Sequence, residues 1–137
     1  MNIFLNEPTK FNPYMNQKEE NNMCLFDDKE AFMLGNLFKN LYMSYNGFSN
    51  YYFQPINERQ KKLALVQMYL FISHEINLYL DTHPEDEQMV ILYNEYAKLY
   101  KEAMCEFENT FGPLLVVNSN DTIPFSWMKG PWPWQHQ

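Results

Sequence analysis

The sequence predicts an all-α protein built on an antiparallel hairpin of two long helices. Two apolar stripes, at 65–79 and 89–111, repeat at alternating spacings of three and four residues. Pro84 precedes the second stripe and Gly112-Pro113 ends it, as expected for helix boundaries. The length of 137 residues and the apolar content of 46% suit one compact domain. A short N-terminal helix, an aromatic loop and an extended Pro/Trp-rich C-terminal tail complete the predicted architecture.

The region before the hairpin divides into an arm, a short helix and a loop. Residues 1–24 are rich in Asn, Pro, Lys and Glu, which predicts a mobile arm. The stretch FDDKEAFMLG at 26–35 has the pattern of a short capped helix. Asp27 or Asp28 is expected to accept its first free N–H groups, and Gly35 to supply a left-handed stop. The loop that follows carries Tyr45, Phe48, Tyr51, Tyr52 and Phe53.

The first long helix is predicted over 58–80, with Asn57 as its N-cap. Its principal apolar stripe consists of Leu65, Tyr69, Ile72, Ile76 and Tyr79. Further apolar residues lie off that stripe, namely Leu63, Val66, Leu70, Phe71, Leu78 and Leu80. A helix that is apolar on several sides must be covered on several sides.

The second long helix follows the turn LYLDTHPEDE at 78–87. Pro84 suits a first helical turn, where its missing N–H costs nothing, and the acidic residues after it complement the helix dipole. Asp81, Thr82 or His83 is expected to cap the helix. The predicted stripe is Met89, Tyr93, Tyr96, Tyr100, Ala103, Phe107 and Phe111.

The two long helices cannot bury this much apolar surface between themselves. At 1.5 Å per residue they are roughly 34 and 40 Å long, and each offers only one face to the other. The aromatic loop and the C-terminal tail are the candidates within the chain to cover the remainder. A second copy or another protein is the alternative, so homo-oligomerisation stays open.

Charge and cysteine content exclude several classes of protein. The net charge of -7 and the pI of about 4.8 argue against binding to nucleic acids and to anionic membranes. No secretory h-region and no apolar run of ~18 residues is present. Cys24 and Cys105 are compatible with one disulfide, but buried free thiols in an intracellular protein are the expectation.

No catalytic motif is present, so the sequence predicts a protein that is not an enzyme and needs no cofactor. The turn offers one metal hypothesis, in which Asp81, His83, Glu85 and Asp86 would suit manganese. The same carboxylates are explained by the helix dipole, and we therefore predict no metal site.

The C-terminal stretch GPWPW at 130–134 has three explanations: a strap over the chain's own core, a docking peptide for a partner, or a membrane-interface anchor. Only Lys129 lies nearby, which disfavours the membrane anchor. Alternating prolines favour an extended segment that loses little entropy on docking into an apolar groove. The uncovered faces of the first long helix favour the strap, while docking on a partner stays open.

Three motifs in order resemble the JB protein of the CotJ spore coat cluster. They are LYLDTHP at 78–84, FGPL at 111–114, and Trp127 followed by GPWPW, within a match over about 58–135. A shorter segment at about 26–55, with Glu30-Ala31, Gly35, Leu37-Phe38, Leu41-Tyr42 and Tyr45, resembles the JA protein of the same cluster. The chain then divides into an arm at 1–24, a JA-like part at 25–55 and a JB-like part at 56–137.

The resemblance implies a non-enzymatic structural protein of the inner spore coat, made in the mother-cell cytoplasm. It implies assembly with other coat proteins, especially a manganese-catalase-like protein, for which metal handling is the alternative role. The expected partner-binding residues are Leu37, Phe38, Leu41, Tyr42, Tyr45, Trp127, Trp132 and Trp134. Oxidative cross-linking of tyrosines such as Tyr51 and Tyr52 is a further hypothesis.

Overall fold

The computed structural model describes residues 24–44, 46–47, 53–119 and 122–130. Within these ranges α1 spans Asp28–Leu34, α2 spans Glu58–Leu80 and α3 spans Glu87–Phe111. Single 3₁₀ turns lie at Lys39–Leu41, Val116–Asn118 and Ser126–Met128. The described residues contain no β-strand, although Leu25 and Phe38 form an isolated antiparallel bridge. The predicted helical class, with two long helices packed on each other, is confirmed for this part of the chain.

The seam between α2 and α3 is centred on aliphatic side chains. It buries Met68, Ile72 and Ile76 of α2 against Met89, Leu92, Tyr96 and Leu99 of α3. The predicted stripe of α3 omitted Leu92 and Leu99 and placed Tyr93 and Tyr100 at its centre, but these tyrosines are only half-buried. Leucine has no polar atom to satisfy, whereas a phenol favours the margin of a core, where its hydroxyl reaches water or a partner.

Capping explains where the helices begin and end. Asn57 accepts a hydrogen bond from the Gln60 amide at 2.8 Å, and Asp27 accepts one from the Glu30 amide at 2.8 Å. Gly35 ends α1 at a φ of 71°, a left-handed conformation that favours glycine. The predicted cap of α2 and the predicted stop of α1 are confirmed.

The predicted N-terminus of α3 is wrong. Its cap is Asp86, whose Oδ1 accepts from the Met89 amide at 3.1 Å, and not Asp81, Thr82 or His83. The amides of Thr82 and His83 instead donate to the Tyr79 carbonyl oxygen, at 3.2 and 3.0 Å. These bonds prolong the end of α2, so that Pro84 lies in the connecting turn and outside the helix.

Residues 25–41 cover the second face of α2. Leu25, Ala31, Leu37 and Phe38 are buried in the same core as the seam. The Phe38 ring lies 5.4 Å from the Tyr79 ring, and the Phe32 ring lies 6.2 Å from the Phe71 ring. The covering element within the described residues is therefore the short helix and the turn after it, which precede the predicted aromatic loop.

Polar contacts fix the same segment on the hairpin. The Tyr96 hydroxyl of α3 donates to Asp28 Oδ1 at the start of α1, and both side chains are buried. The Leu37 amide donates to Glu75 Oε2 of α2 at 3.3 Å. Within the segment, the Phe26 amide donates to the Leu37 carbonyl oxygen at 2.9 Å, which closes the loop around α1.

The structure differs from two predictions, one about the cysteines and one about membrane-spanning segments. Cys24 and Cys105 are free thiols, but both are exposed and not buried. Helix α2 is long and apolar enough to cross a membrane by length and composition alone. The core helix of a soluble protein passes the same test, and Ile72 and Ile76 of α2 are completely buried by the rest of the chain.

Several predicted features lie outside the described residues. They are the N-terminal arm up to residue 23, most of the aromatic loop with Tyr51 and Tyr52, and the PWPW stretch at 131–134. The roles predicted for them stay predictions.

Candidate interaction surface

Exposed apolar side chains concentrate after the end of α3. Six large ones lie between residues 115 and 128, and we call them the C-terminal apolar residues: Leu115, Val116, Val117, Ile123, Phe125 and Met128. Ile123 is completely exposed and Val117 is 82% exposed. Exposed apolar side chains that lie this close together in the sequence are typical of segments that contact another molecule.

The first three of these residues lie on a turn that one carboxylate holds in place. Glu108 Oε1 accepts from the Leu114 amide at 2.8 Å, and both Glu108 oxygens accept from Asn118 Nδ2, at 3.0 and 2.9 Å. The Ser119 hydroxyl and amide both donate to the Val116 carbonyl oxygen, at 2.6 and 3.1 Å. The exposed side chains are thus presented on a backbone that is hydrogen-bonded at both ends.

The adjoining end of the hairpin is closed by contacts between α2 and α3. The Arg59 guanidinium lies 5.7 Å above the ring of Phe107, which is buried, and the Phe107 ring lies 5.3 Å from that of Phe111. Lys62 and Glu106 form an ion pair across the two helices. The end of α3 from which the turn starts is therefore packed against α2.

The structure places the predicted partner-binding residues in different environments. Leu37 and Phe38 are 1% and 4% exposed and pack inside the chain's own core. Leu41 is 65% exposed. Tyr42 is half-buried, with its ring edge-on to Phe26 at 5.7 Å.

Of the predicted C-terminal contacts, Trp127 is half-buried between the exposed Phe125 and Met128. Tyr45, Trp132 and Trp134 lie outside the described residues. The partner-binding role of the whole predicted set stays a prediction.

Sequence reasoning missed Leu115, Val116 and Val117. The signal that would have found them is the run LLVV at 114–117, directly after the Gly112-Pro113 stop. Four apolar residues that follow a helix terminator have no helix face to bury them, so exposure is the expected outcome unless another element packs on them.

The turn between α2 and α3 gives no support to the manganese hypothesis. Asp86 is occupied by the Met89 amide and by the Tyr79 hydroxyl, which donates to Oδ2 at 3.0 Å. The His83 ring stacks on the Tyr79 ring at 4.3 Å, and its Nδ1 lies 2.8 Å from Thr82 Oγ1. Among the described residues, no group of three or more His, Cys, Asp or Glu side chains is arranged to hold a metal ion.

Two tyrosines among the described residues have raised pKa values, and both take part in contacts that hold the fold together. Burial, with the neighbouring Asp28 carboxylate, raises the pKa of Tyr96 well above its usual value, and Tyr96 is only 4% exposed. Burial, together with the hydrogen bond to Asp86, also raises the pKa of Tyr79. A shallow apolar depression is lined by Phe32, Met33, Phe53 and Gln67, none of which is titratable. Neither feature combines a reactive group with access to a substrate.

Comparison with known families gives one match. A family model described as CotJB protein matches residues 60–135, which is more than half of the chain and includes α3 and almost all of α2. The matched range also contains Glu108 and all of the C-terminal apolar residues. The comparisons with curated proteins and with solved structures gave no match.

Proposed function

The chain belongs to the CotJB family of spore coat proteins, and we propose that it is a non-enzymatic structural and assembly protein of the inner coat. The observation that carries this proposal is the set of C-terminal apolar residues, the first three of which lie on a turn hydrogen-bonded to the end of α3. A rigid scaffold with an apolar contact surface suits a structural component, because ordered contact residues lose little entropy on binding.

The JA-like segment supports the same proposal. Residues 25–41 pack on the JB-like hairpin through Leu25, Leu37, Phe38 and the buried pair Asp28–Tyr96. Joining two such pieces in one chain raises their effective concentration without new contacts. We therefore propose that the JA-like and JB-like parts act as one assembly unit.

The proposed partner is a manganese-catalase-like coat protein, as the resemblance to the CotJ cluster implies. The proposed contact combines Phe125, Trp127 and Met128 with the tail that carries Trp132 and Trp134. Assembly would follow synthesis in the mother-cell cytoplasm.

Deletion of residues 124–137 tests this proposal. The principal core consists of residues between Leu25 and Leu99, so the truncated chain is expected to keep its helix content by circular dichroism. Its incorporation into the coat, and its co-purification with the catalase-like protein, are expected to fall at least tenfold.

A control is Ile91→Ser, which removes an apolar side chain of similar exposure to Met128 (61% and 66%) from a position on α3 that is not among the predicted contact residues. This variant is expected to be incorporated normally. Normal incorporation of the truncated chain would refute the contact role of the C-terminus.

A further inference from the structure

The turn after α3 is ordered in a conformation that exposes apolar surface to water. Leu115, Val116 and Val117 are consecutive and are 48%, 51% and 82% exposed. A run of apolar residues that served only as a linker would not be stabilised by hydrogen bonds that keep its side chains exposed to water. Glu108 nevertheless accepts three hydrogen bonds that hold this turn open, from the Leu114 amide and the Asn118 side chain.

Holding the turn open lowers the entropic cost of a later contact. A side chain that is already ordered does not lose its freedom again when it binds. Phe111, which is 37% exposed and lies at the end of α3, extends the apolar surface toward the helix. We call Phe111, Leu115, Val116 and Val117 the turn patch.

The distribution of charge indicates what can cover the turn patch. At this end of the hairpin, residues 58–62 and 101–111 carry four cationic and four anionic side chains. At the other end, residues 81–87 carry four carboxylates and no Lys or Arg. The net charge of -7 is therefore concentrated away from the turn patch.

This separation allows a second copy to approach. Helix α3 is roughly 37 Å long at 1.5 Å per residue, whereas charges in physiological salt are screened over about 8 Å. Two chains that meet patch to patch bring together neutral ends and keep their acidic turns far apart. A strongly basic partner would instead be drawn to the acidic turn at the opposite end.

We propose that the chain self-associates through the turn patch in a two-fold symmetric contact, with Glu108 as the residue that positions the turn. In such a contact the same surface serves both copies and must be complementary to itself, which an apolar patch at an end without net charge satisfies because no excess of like charge is brought together. The patch is smaller than a standard interface of roughly 20–30 residues a side, and the dimer is therefore weak. The proposal concerns the purified chain alone and does not depend on the coat partner.

Sedimentation of the full chain across a range of concentrations tests this proposal. The wild-type chain is expected to shift from monomer to dimer with rising concentration. Val117→Asp, a change at an exposed position, is expected to raise the dimer dissociation constant at least tenfold. Ile91→Asp, at a position that is 61% exposed near the acidic end, is expected to change it less than about twofold.

Glu108→Gln tests the positioning of the turn separately, because it weakens the hydrogen bonds that hold the turn and leaves the apolar side chains of the turn patch in place. The amide keeps the side-chain volume but loses one of the two acceptor oxygens, so we expect a dissociation constant raised several-fold with unchanged helix content. A wild-type chain that stays monomeric up to about 1 mM, or a Val117→Asp chain that dimerises normally, overturns the proposal. If the full chain stays monomeric and dimerises only after truncation at Gly130, the chain's own tail covers the turn patch. That outcome also overturns the proposal.

Discussion

Replacing Tyr96 with phenylalanine removes the hydroxyl that joins α3 to α1. That hydroxyl donates to Asp28 Oδ1, and the two residues are 4% and 3% exposed. A hydrogen bond to a charged group contributes about 1.5–3 kcal/mol, because the carboxylate cannot replace it with water when it is buried. We expect Tyr96→Phe to lower the free energy of unfolding by about 2 kcal/mol at neutral pH.

The effect of this substitution depends on pH. Burial, reinforced by the Asp28 charge, raises the pKa of Tyr96 in the folded chain above 10.0, the value for an unperturbed tyrosine. The stabilisation that follows from the raised pKa is complete below about pH 10 and is lost as the pH rises toward the folded pKa. Above about pH 10 the unfolded phenol ionises, which lowers the stability of the wild-type chain by about 1.4 kcal/mol per pH unit.

Phenylalanine does not ionise, so this decline is absent from the variant. The difference of about 2 kcal/mol should therefore shrink progressively as the pH rises above 10. Other titrating groups, including Tyr79, whose pKa is also raised, are common to both chains and cancel in the difference.

Urea unfolding followed by circular dichroism, at several pH values from about 7 to 11, measures this difference. Tyr93→Phe is the matched control, because Tyr93 is half-buried on the same helix and its hydroxyl makes no hydrogen bond within the described residues. It is expected to change stability by less than about 0.5 kcal/mol. A loss below about 0.5 kcal/mol for Tyr96→Phe, or a difference that grows above pH 10, would refute the reasoning.

Three further outcomes are expected. Ile76→Ala, at a completely buried position, should cost about 3 kcal/mol in urea unfolding. Leu78→Ala, half-exposed on the same helix, should cost less than about 1 kcal/mol, and equal losses would contradict the assigned seam. Gly35→Ala should cost about 1 kcal/mol or more in thermal unfolding because of its φ of 71°, and Gly35→Asn less. Cys24 and Cys105 should both react with a thiol reagent without denaturant, whereas protection of either would contradict its exposure.

The sequence predicts the long helices well because their determinants are local. The bounds of α2 follow from Asn57 and from an apolar pattern that continues to Leu80. Gly112 ends α3 with a positive φ of 99°, as the Gly-Pro stop predicts. Each of these features depends on neighbours within a few residues.

The start of α3 and its seam were predicted less well because non-local contacts decide them. Asp86 becomes the cap in a turn where it also accepts from Tyr79, seven residues earlier. The side chains that face α2 are Leu92 and Leu99, although Tyr93 and Tyr100 fit the same helical period. A periodicity of three and four residues leaves the centre of the seam uncertain by one position.

The pairing of residues 25–41 with the hairpin could not be read from local patterns. Asp28 and Tyr96 are 68 positions apart, and Leu37 and Glu75 are 38 apart. An acidic residue in the first turn of a helix is fully explained by the helix dipole, so Asp28 gave no sign of burial. The short helix is therefore predictable, whereas the surface that it covers is not.

The covering of α2 by residues 25–41 also bears on the C-terminal tail. The expectation that Trp132 and Trp134 strap the chain's own hairpin relied on uncovered faces of α2. The core that contains Leu37 and Phe38 covers part of those faces, including Phe71 and Leu80, and the larger exposed apolar set lies after α3. The physical reason for self-docking on α2 is correspondingly weaker, which favours docking of the tail on a partner. Loss of partner capture on truncation at Gly130, without loss of stability, is the outcome that this shift predicts.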